Sequence, residues 1–243
     1  MLHHTPALFY KALQKLEALA FEEEDCALCH AILAQLYIIA VLYNYKTNLD
    51  PLETARAEVE KAFQIDPECQ HAHLVTAWLH VFSRNKAEVL QSIEKTVTIN
   101  PYSPDFWGMC SLGLSYIGEY AKSLEYLKKS RELNPVPYWS ATLQDYFWAL
   151  KNNEYEKMLF YALKVSTPKV IFEHIFEMVA LYYLGMTDEL KKLVPDYLKK
   201  YPTGIAFAAH ILPKILFDDE LTEKIIIALQ QIGQMEEAKI AHN

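Results

Sequence analysis

Five prolines set in phase constrain this chain more than any other feature of it. Pro67, Pro101 and Pro135 lie 34 residues apart, and Pro168 and Pro202 follow at spacings of 33 and 34. The first three close near-identical tripeptides, Ile65-Asp66-Pro67, Ile99-Asn100-Pro101 and Leu133-Asn134-Pro135. A proline cannot continue a helix, and it pushes the residue before it out of the α region. Each therefore marks the end of one helix and the turn into the next unit, and a fixed period of this length predicts a stack of repeated units.

Two helical stretches fit within each period. In the clearest unit, an amphipathic run from Asp105 to Ile117 stops at Gly118, and a second from Tyr120 to Leu133 stops at Asn134-Pro135. Composition agrees. The 243 residues are 52% hydrophobic and 22% charged, which excludes disorder as the main state. Six glycines stand against 16 tyrosines, 11 phenylalanines and 4 tryptophans, so hairpin-rich folds and phosphate loops are poorly supplied.

The residues of that unit resemble the tetratricopeptide repeat (TPR), whose two helices carry large and small residues at fixed slots. Trp107, Ser111, Leu114, Gly118, Tyr120, Ser123, Leu127, Ser130 and Pro135 fill the slots in order. The preceding unit fills them with His73, Ala77, His80, Val89, Ile93, Thr96 and Pro101. The one before uses His30, Leu33, Ala34, Tyr37, Ala55, Val59, Ala62 and Pro67, with a first helix running to about Tyr45 and a loop from Thr47 to Pro51. Later units match more loosely, with turns at Asn153-Glu154-Tyr155 and Gly185 and with Pro195 and Pro213 inside helical stretches.

The resemblance implies an all-α fold, an α-solenoid wound as a right-handed superhelix of about six TPR-like helix pairs. Residues 1–26 form an N-terminal helix or half repeat; 27–67, 68–101 and 102–135 are repeats; 136–168 and 169–202 are TPR-like; 203–243 form a cap and tail. Thr5-Pro6 starts the first helix, and Leu8, Leu13, Leu16 and Leu19 leave an apolar face through which a homodimer could form. Asp218-Asp219 opens a last helix that Gly233 is expected to end, followed by a polar tail. The long first unit, Asn134-Pro135-Val136-Pro137-Tyr138-Trp139 and the closing Ile225–Gly233 resemble the carboxy-terminal TPR modules of bacterial signalling proteins. Those modules follow a winged-helix regulator domain or a class III adenylate cyclase, and an opening half unit implies such an upstream domain here.

Charge and motifs exclude most chemistries. The net charge of −8 is the wrong sign for neutralising phosphates or anionic lipid, so direct nucleic-acid and membrane binding are not expected. The longest apolar run, Ala31 to Tyr43, is broken by Gln35 and too short to cross a bilayer. With no secretion signal and four cysteines without framework spacing, a reduced, cytoplasmic protein is expected. Cys26-Ala27-Leu28-Cys29-His30 has the spelling of a haem attachment site but lacks the export signal that such a site needs, and His30 falls in the slot Trp107 fills. Zinc would need four convergent ligands from Cys26, Cys29, Cys69, His71 and His73, yet His71 and His73 diverge on a helix, and His73 and His174 read as slot rings. Glu22-Glu23-Glu24-Asp25 reads as a solvated turn. No HExxH, GxSxG, GxGxxG or complete phosphate loop is present. No catalytic residue, cofactor or metal site is expected, and the chain reads as a non-enzyme.

What remains is surface. In TPR proteins the first helix of each unit lines the concave face, which places Leu74, Trp78, Phe82, Leu112, Tyr116, Phe172, Val179 and Tyr183 along an apolar partner-binding groove, beside His71, Val81, Asp105, Ser115, Ile175 and Tyr182. Relatives that clamp a chaperone's carboxylate tail use Lys, Asn and Arg at such positions, and this chain has none there. The expected function is a protein interaction scaffold taking an apolar helix or peptide, from a protein partner or another domain of the same protein. The alternative is a sensor that encloses a small hydrophobic effector in the same groove.

Overall fold

The computed structural model describes residues 5–135, 142–165 and 170–241, with side chains described as far as residue 235. Among them every regular element is an α-helix. In chain order these are α1 (Pro6–Glu22), α2 (Ala27–Tyr43), α3 (Pro51–Ile65), α4 (Gln70–Phe82), α5 (Lys86–Ile99), α6 (Pro104–Tyr116), α7 (Tyr120–Leu133), α8 (Leu143–Lys151), α9 (Tyr155–Ala162), α10 (Ile175–Tyr183), α11 (Thr187–Lys200), α12 (Gly204–Ile215) and α13 (Asp219–Ala241). The chain is an all-α solenoid in which α2 pairs with α3, α4 with α5, α6 with α7, α8 with α9, α10 with α11 and α12 with α13.

Pro67, Pro101, Pro135 and Pro202 follow helix ends as expected, and the residue before each of the first two adds a second device. Asp66 Oδ1 accepts from the N–H of Glu68 at 2.9 Å, and Asn100 Oδ1 accepts from the N–H of Tyr102 at 3.1 Å. These side-chain turns fix the reversal between units while the proline forbids helix continuation. The reversals within units use left-handed residues: Asn44, Arg84, Gly118, Asn153 and Gly185 all have positive φ.

Each slot ring is tied back to the turn before it. Trp107 Nε1 donates to the carbonyl of Pro101 at 2.8 Å, His73 Nε2 to that of Pro67 at 3.0 Å, and His30 Nε2 faces the carbonyl of Glu24 at 3.4 Å, six residues back in every case. The small slots bring the two helices of a unit together. Ser111 and Ser123 each donate a hydroxyl to the other's backbone carbonyl at 2.7 Å, a reciprocal bond possible only where both side chains are small. Gly113 does the same between units, since a Cβ there would lie 3.3 Å from Ile93 Cδ1.

The stacking is regular as far as α8: α2 lies against α4, α4 against α6, and α6 against α8. The last pair departs from it. The second helix, α13, packs on α8, α10 and α11, while the first, α12, crosses to reach α4. Helix α13 also runs through Gly233 to Ala241, which corrects the expected stop. Gly233 does not take a positive φ, and a Cβ there would meet nothing nearer than Ile205 at 4.0 Å, so the helix tolerates it as an ordinary interior glycine at a cost of about 1 kcal/mol.

Other expectations are also corrected. Cys26 and Cys29 form a disulfide across the first turn of α2, so the pair is not reduced here, while Cys69 and Cys110 are buried free thiols. Burial raises the Cys110 pKa far above the usual thiol range. His174 is no slot ring: it precedes α10 in the left-handed conformation, with Nδ1 2.7 Å from the Glu177 carboxylate. Pro195 and Pro213, by contrast, lie inside helices α11 and α12, where the sequence places them. Leu13 is buried, whereas Leu8, Tyr10, Leu19 and Phe21 remain exposed along α1. Pro168 and Val136-Pro137-Tyr138-Trp139 lie outside the described residues.

Candidate functional site

The inner helices border an apolar cavity of about 100 Å³. Its wall is assembled from far-apart parts of the chain: Gln35, Ile38, Ile39, Leu42 and Tyr43 of α2, Val75 and Trp78 of α4, Met109, Leu112 and Tyr116 of α6, and Leu143 of α8. Phe172 from the turn before α10, Phe176 of α10, and Leu212 and Ile215 of α12 close it. No charged side chain is among them.

The sequence explains why α2 can contribute so much wall. From Ala27 to Tyr43 it carries no Asp, Glu, Lys or Arg, and its apolar residues run all round the helix. One side packs on α1 and α3, and Gln35, Ile38, Ile39 and Leu42 are spaced to face the interior. Trp78 meets Tyr116 edge to face at 5.4 Å, and Tyr116 meets Phe147 in the same manner at 5.8 Å. Phe172 stacks on Phe176 and meets Tyr43 at 6.3 Å, joining the two ends of the solenoid.

The closure is held by polar contacts of α12 and the residues after it. Arg84 donates to the carbonyls of Pro213 and Leu216 at 2.8 and 3.0 Å and lies 4.7 Å above the Phe217 ring. The guanidinium thereby satisfies carbonyls at the C-terminus of α12 that no helical N–H can reach, with the charge sign that a helix C-terminus favours. Asp218 accepts from the N–H of Leu221 at 3.0 Å as the cap of α13, from the Tyr120 hydroxyl at 3.2 Å, and pairs with Lys151 at 3.0 Å.

Gln35 brings a side-chain amide to the wall, beside the ring-borne polar atoms of Tyr43, Trp78 and Tyr116. Gln35 Oε1 is 2.8 Å from His71 Nε2, and Gln35 Nε2 is 3.8 Å from the Met109 sulfur. Thioether sulfur accepts but cannot donate, so the amide nitrogen faces Met109 and the oxygen takes the His71 N–H. Burial holds the His71 pKa down at about 4, so the ring is neutral at physiological pH.

Of the residues expected to line a groove, Trp78, Leu112, Tyr116 and Phe172 come together on this wall. Leu74 and Val179 do not: each is 1% exposed or less and packs between helices. Val81 and Ile175 are fully buried in the same way. Phe82 is half-buried off the cavity, and Tyr183 stacks on Tyr155 while its hydroxyl donates to the carbonyl of Lys224. Helix α12 thus supplies one wall of the space between the inner helices. Sequence reasoning missed Gln35, Met109, Leu212, Ile215 and Arg84. The all-round apolarity of α2 signalled the first, and nothing local signals the last.

Elsewhere, His30 Nδ1 lies 2.6 Å from the buried Glu58 carboxylate, which also pairs with Lys61 at 2.7 Å. No group of three or more His, Cys, Asp or Glu suited to a metal ion occurs among the described residues. Nor is any described helix long and apolar enough to cross a membrane.

No family model matches the chain, and no curated protein does. Among solved structures, the chain is similar to the crystal structure of YrrB, described as a TPR protein with an unusual peptide-binding site. The two are 19% identical, the match covers 85% of this chain and 95% of that one, and the TM-score is 0.43.

Proposed function

We propose that this chain is a non-catalytic binding module whose ligand is a small hydrophobic effector held in the central cavity. The observation that carries it is the wall: side chains from six helices and one turn converge on a single space that no charged group lines. A mostly apolar space of this kind gains by taking an apolar guest. Occupancy would be passed on through α12, which lines the cavity, is held by Arg84 from the turn after α4, and leads into Phe217, whose N–H reaches the end of α6.

The test is ligand stabilisation. Benzene at saturating concentration should raise the melting temperature of the wild-type chain. Leu112→Trp, which projects a larger ring into the cavity, should remove that response. A response that survives Leu112→Trp unchanged would place the guest elsewhere and defeat the proposal.

A second reading is favoured by one observation: the concave face already holds an apolar helix, α12 of the same chain. A partner helix of similar character would take its place, giving the interaction scaffold expected from the repeat. Faster hydrogen exchange in 204–215 on adding such a partner would support it. The resemblance of the long first unit to bacterial signalling modules supports a place in transcriptional or cyclic-nucleotide signalling. Dimerisation through α1 has the support of the exposed Leu8, Tyr10, Leu19 and Phe21, and sedimentation tests it.

A further inference from the structure

We infer that the effector of the central cavity is a neutral molecule with an apolar body of about one ring and a single hydrogen-bond acceptor, presented to Nε2 of Gln35. The inference rests on the reading of the cavity as a ligand site and adds the chemistry that the site selects. Size comes first. A space of about 100 Å³ is of the order that holds one six-membered ring. Charge comes second: a guest carboxylate or ammonium would meet no counter-charge on the wall and would carry its whole desolvation cost.

Polarity comes from Gln35. Its oxygen is engaged by His71 Nε2 at 2.8 Å, which fixes the plane of the amide and directs its two N–H groups toward the side where Met109 lies. The partner there is a thioether sulfur at 3.8 Å, a weak acceptor able to take one of them. An amide with donor capacity left over in a mostly apolar wall discriminates between guests. A guest with an acceptor satisfies it, whereas a pure hydrocarbon leaves it unmet. The group selected by the amide N–H is therefore an acceptor oxygen, such as a carbonyl or an ether.

Acetophenone and ethylbenzene have the same ring and nearly the same shape and differ in the acceptor, so they form the probe pair. Calorimetric titration of both into the wild-type chain and into Gln35→Leu gives a ratio of affinities for each protein, and comparing the ratios cancels the difference in ligand hydration. The preference for acetophenone should fall by about tenfold in Gln35→Leu, and Met109→Leu, which frees the amide from the sulfur, should keep or enlarge it. The infrared carbonyl stretch of acetophenone bound to wild-type protein should lie below its position in hexane, a measurement that needs no variant to fold. Equal ratios in wild type and Gln35→Leu, or a bound carbonyl stretch at the hexane position, would overturn the inference while leaving the cavity reading intact. Failure of both probes to bind the wild-type chain would overturn the two together.

Discussion

The backbone N–H of Phe217 donates to the carbonyl of Tyr116 at 2.8 Å, joining the strand of chain after α12 to the end of α6. This bond and the Arg84 clamp beside it hold the end of α12 against the repeat stack. Arg84 has a φ of 54°, a left-handed conformation that costs a non-glycine residue about 1 kcal/mol. Arg84→Ala removes the clamp and keeps the strain; Arg84→Gly removes both. Both variants should be less stable than wild type, by about 1 to 3 kcal/mol, with Gly the milder by about 1 kcal/mol. Hydrogen exchange should quicken in α12 while α2 and α3 stay protected. Equal loss of protection throughout the chain would count against a local clamp.

Tyr116 and Trp107 give a direct comparison of wall and slot. If the concave face were open, Tyr116 would be an anchor that the fold could spare. It is 8% exposed and packed between Trp78 and Phe147, whereas Trp107 is only half-buried. Urea titration should show Tyr116→Ala costing about 3 to 5 kcal/mol, at least as much as Trp107→Ala, with Phe82→Ala the mildest of the three.

The repeat was legible because its signals are local. Asp66-Pro67 and Asn100-Pro101 write their turns into two adjacent residues, and His73 and Trp107 reach carbonyls only six residues away. The helix ends around Gly118 follow for the same reason. The site was legible in part: Trp78, Leu112, Tyr116 and Phe172 sit on inner helices or beside one, where the repeat pattern puts them. The closure was not. Arg84 looks like any exposed basic residue in a turn, and its partners Pro213 and Leu216 act through backbone carbonyls that carry no side-chain signature. Leu212 and Ile215 follow the pattern of an ordinary last repeat, and only the displacement of α12 toward α4 turns them inward. Gly233 misled because glycine permits a helix stop without requiring one.

Acid should loosen α4. Burial lowers the pKa of His71 to about 4 and lowers those of His73 and His80 as well. In the unfolded chain a histidine titrates near 6.5. Between that value and the folded one, the unfolded chain binds protons that the folded chain refuses, so the stabilisation is complete above about pH 6.5 and is lost as pH falls toward 4. For His71 the loss between pH 6.5 and 5 is of the order of 1 to 2 kcal/mol. Melting temperatures should therefore drop across this range, and less steeply in His71→Gln. An unchanged slope in that variant would assign the acid sensitivity to other groups.

Tyr146 is fully buried against Phe147 and Phe176, and its hydroxyl has no hydrogen-bond partner among the described residues. Burial, with a smaller contribution from Tyr183, pushes its pKa well above the usual phenol value, the direction expected of a hydroxyl kept from water. Tyr146→Phe keeps the ring and deletes the unsatisfied atom. The variant should be as stable as wild type or more stable by about 1 kcal/mol in chemical denaturation. A loss of more than that amount would reveal a partner for the hydroxyl.

Gly204 and Tyr197 set where α12 begins. A Cβ at Gly204 would lie 2.0 Å from the Tyr197 hydroxyl oxygen and 2.6 Å from the ring carbon bearing it, so the two cannot coexist without movement. Tyr197 is not free to move: it is 2% exposed, and its hydroxyl donates to the carbonyl of Ile171, beside the cavity residue Phe172. Gly204→Ala should therefore cost about 2 to 4 kcal/mol even though alanine is the better helix former. In a Tyr197→Leu background the obstruction is gone, and the same substitution should be neutral or slightly stabilising. The coupling between the two sites, read from the four stabilities, should be about 2 kcal/mol or more. Gly204→Ala should also weaken benzene binding, because shifting Tyr197 releases the Ile171 carbonyl and with it the turn that carries Phe172 into the wall. Should Gly204→Ala cost the same with either residue at 197, the steric contact would not be what positions α12.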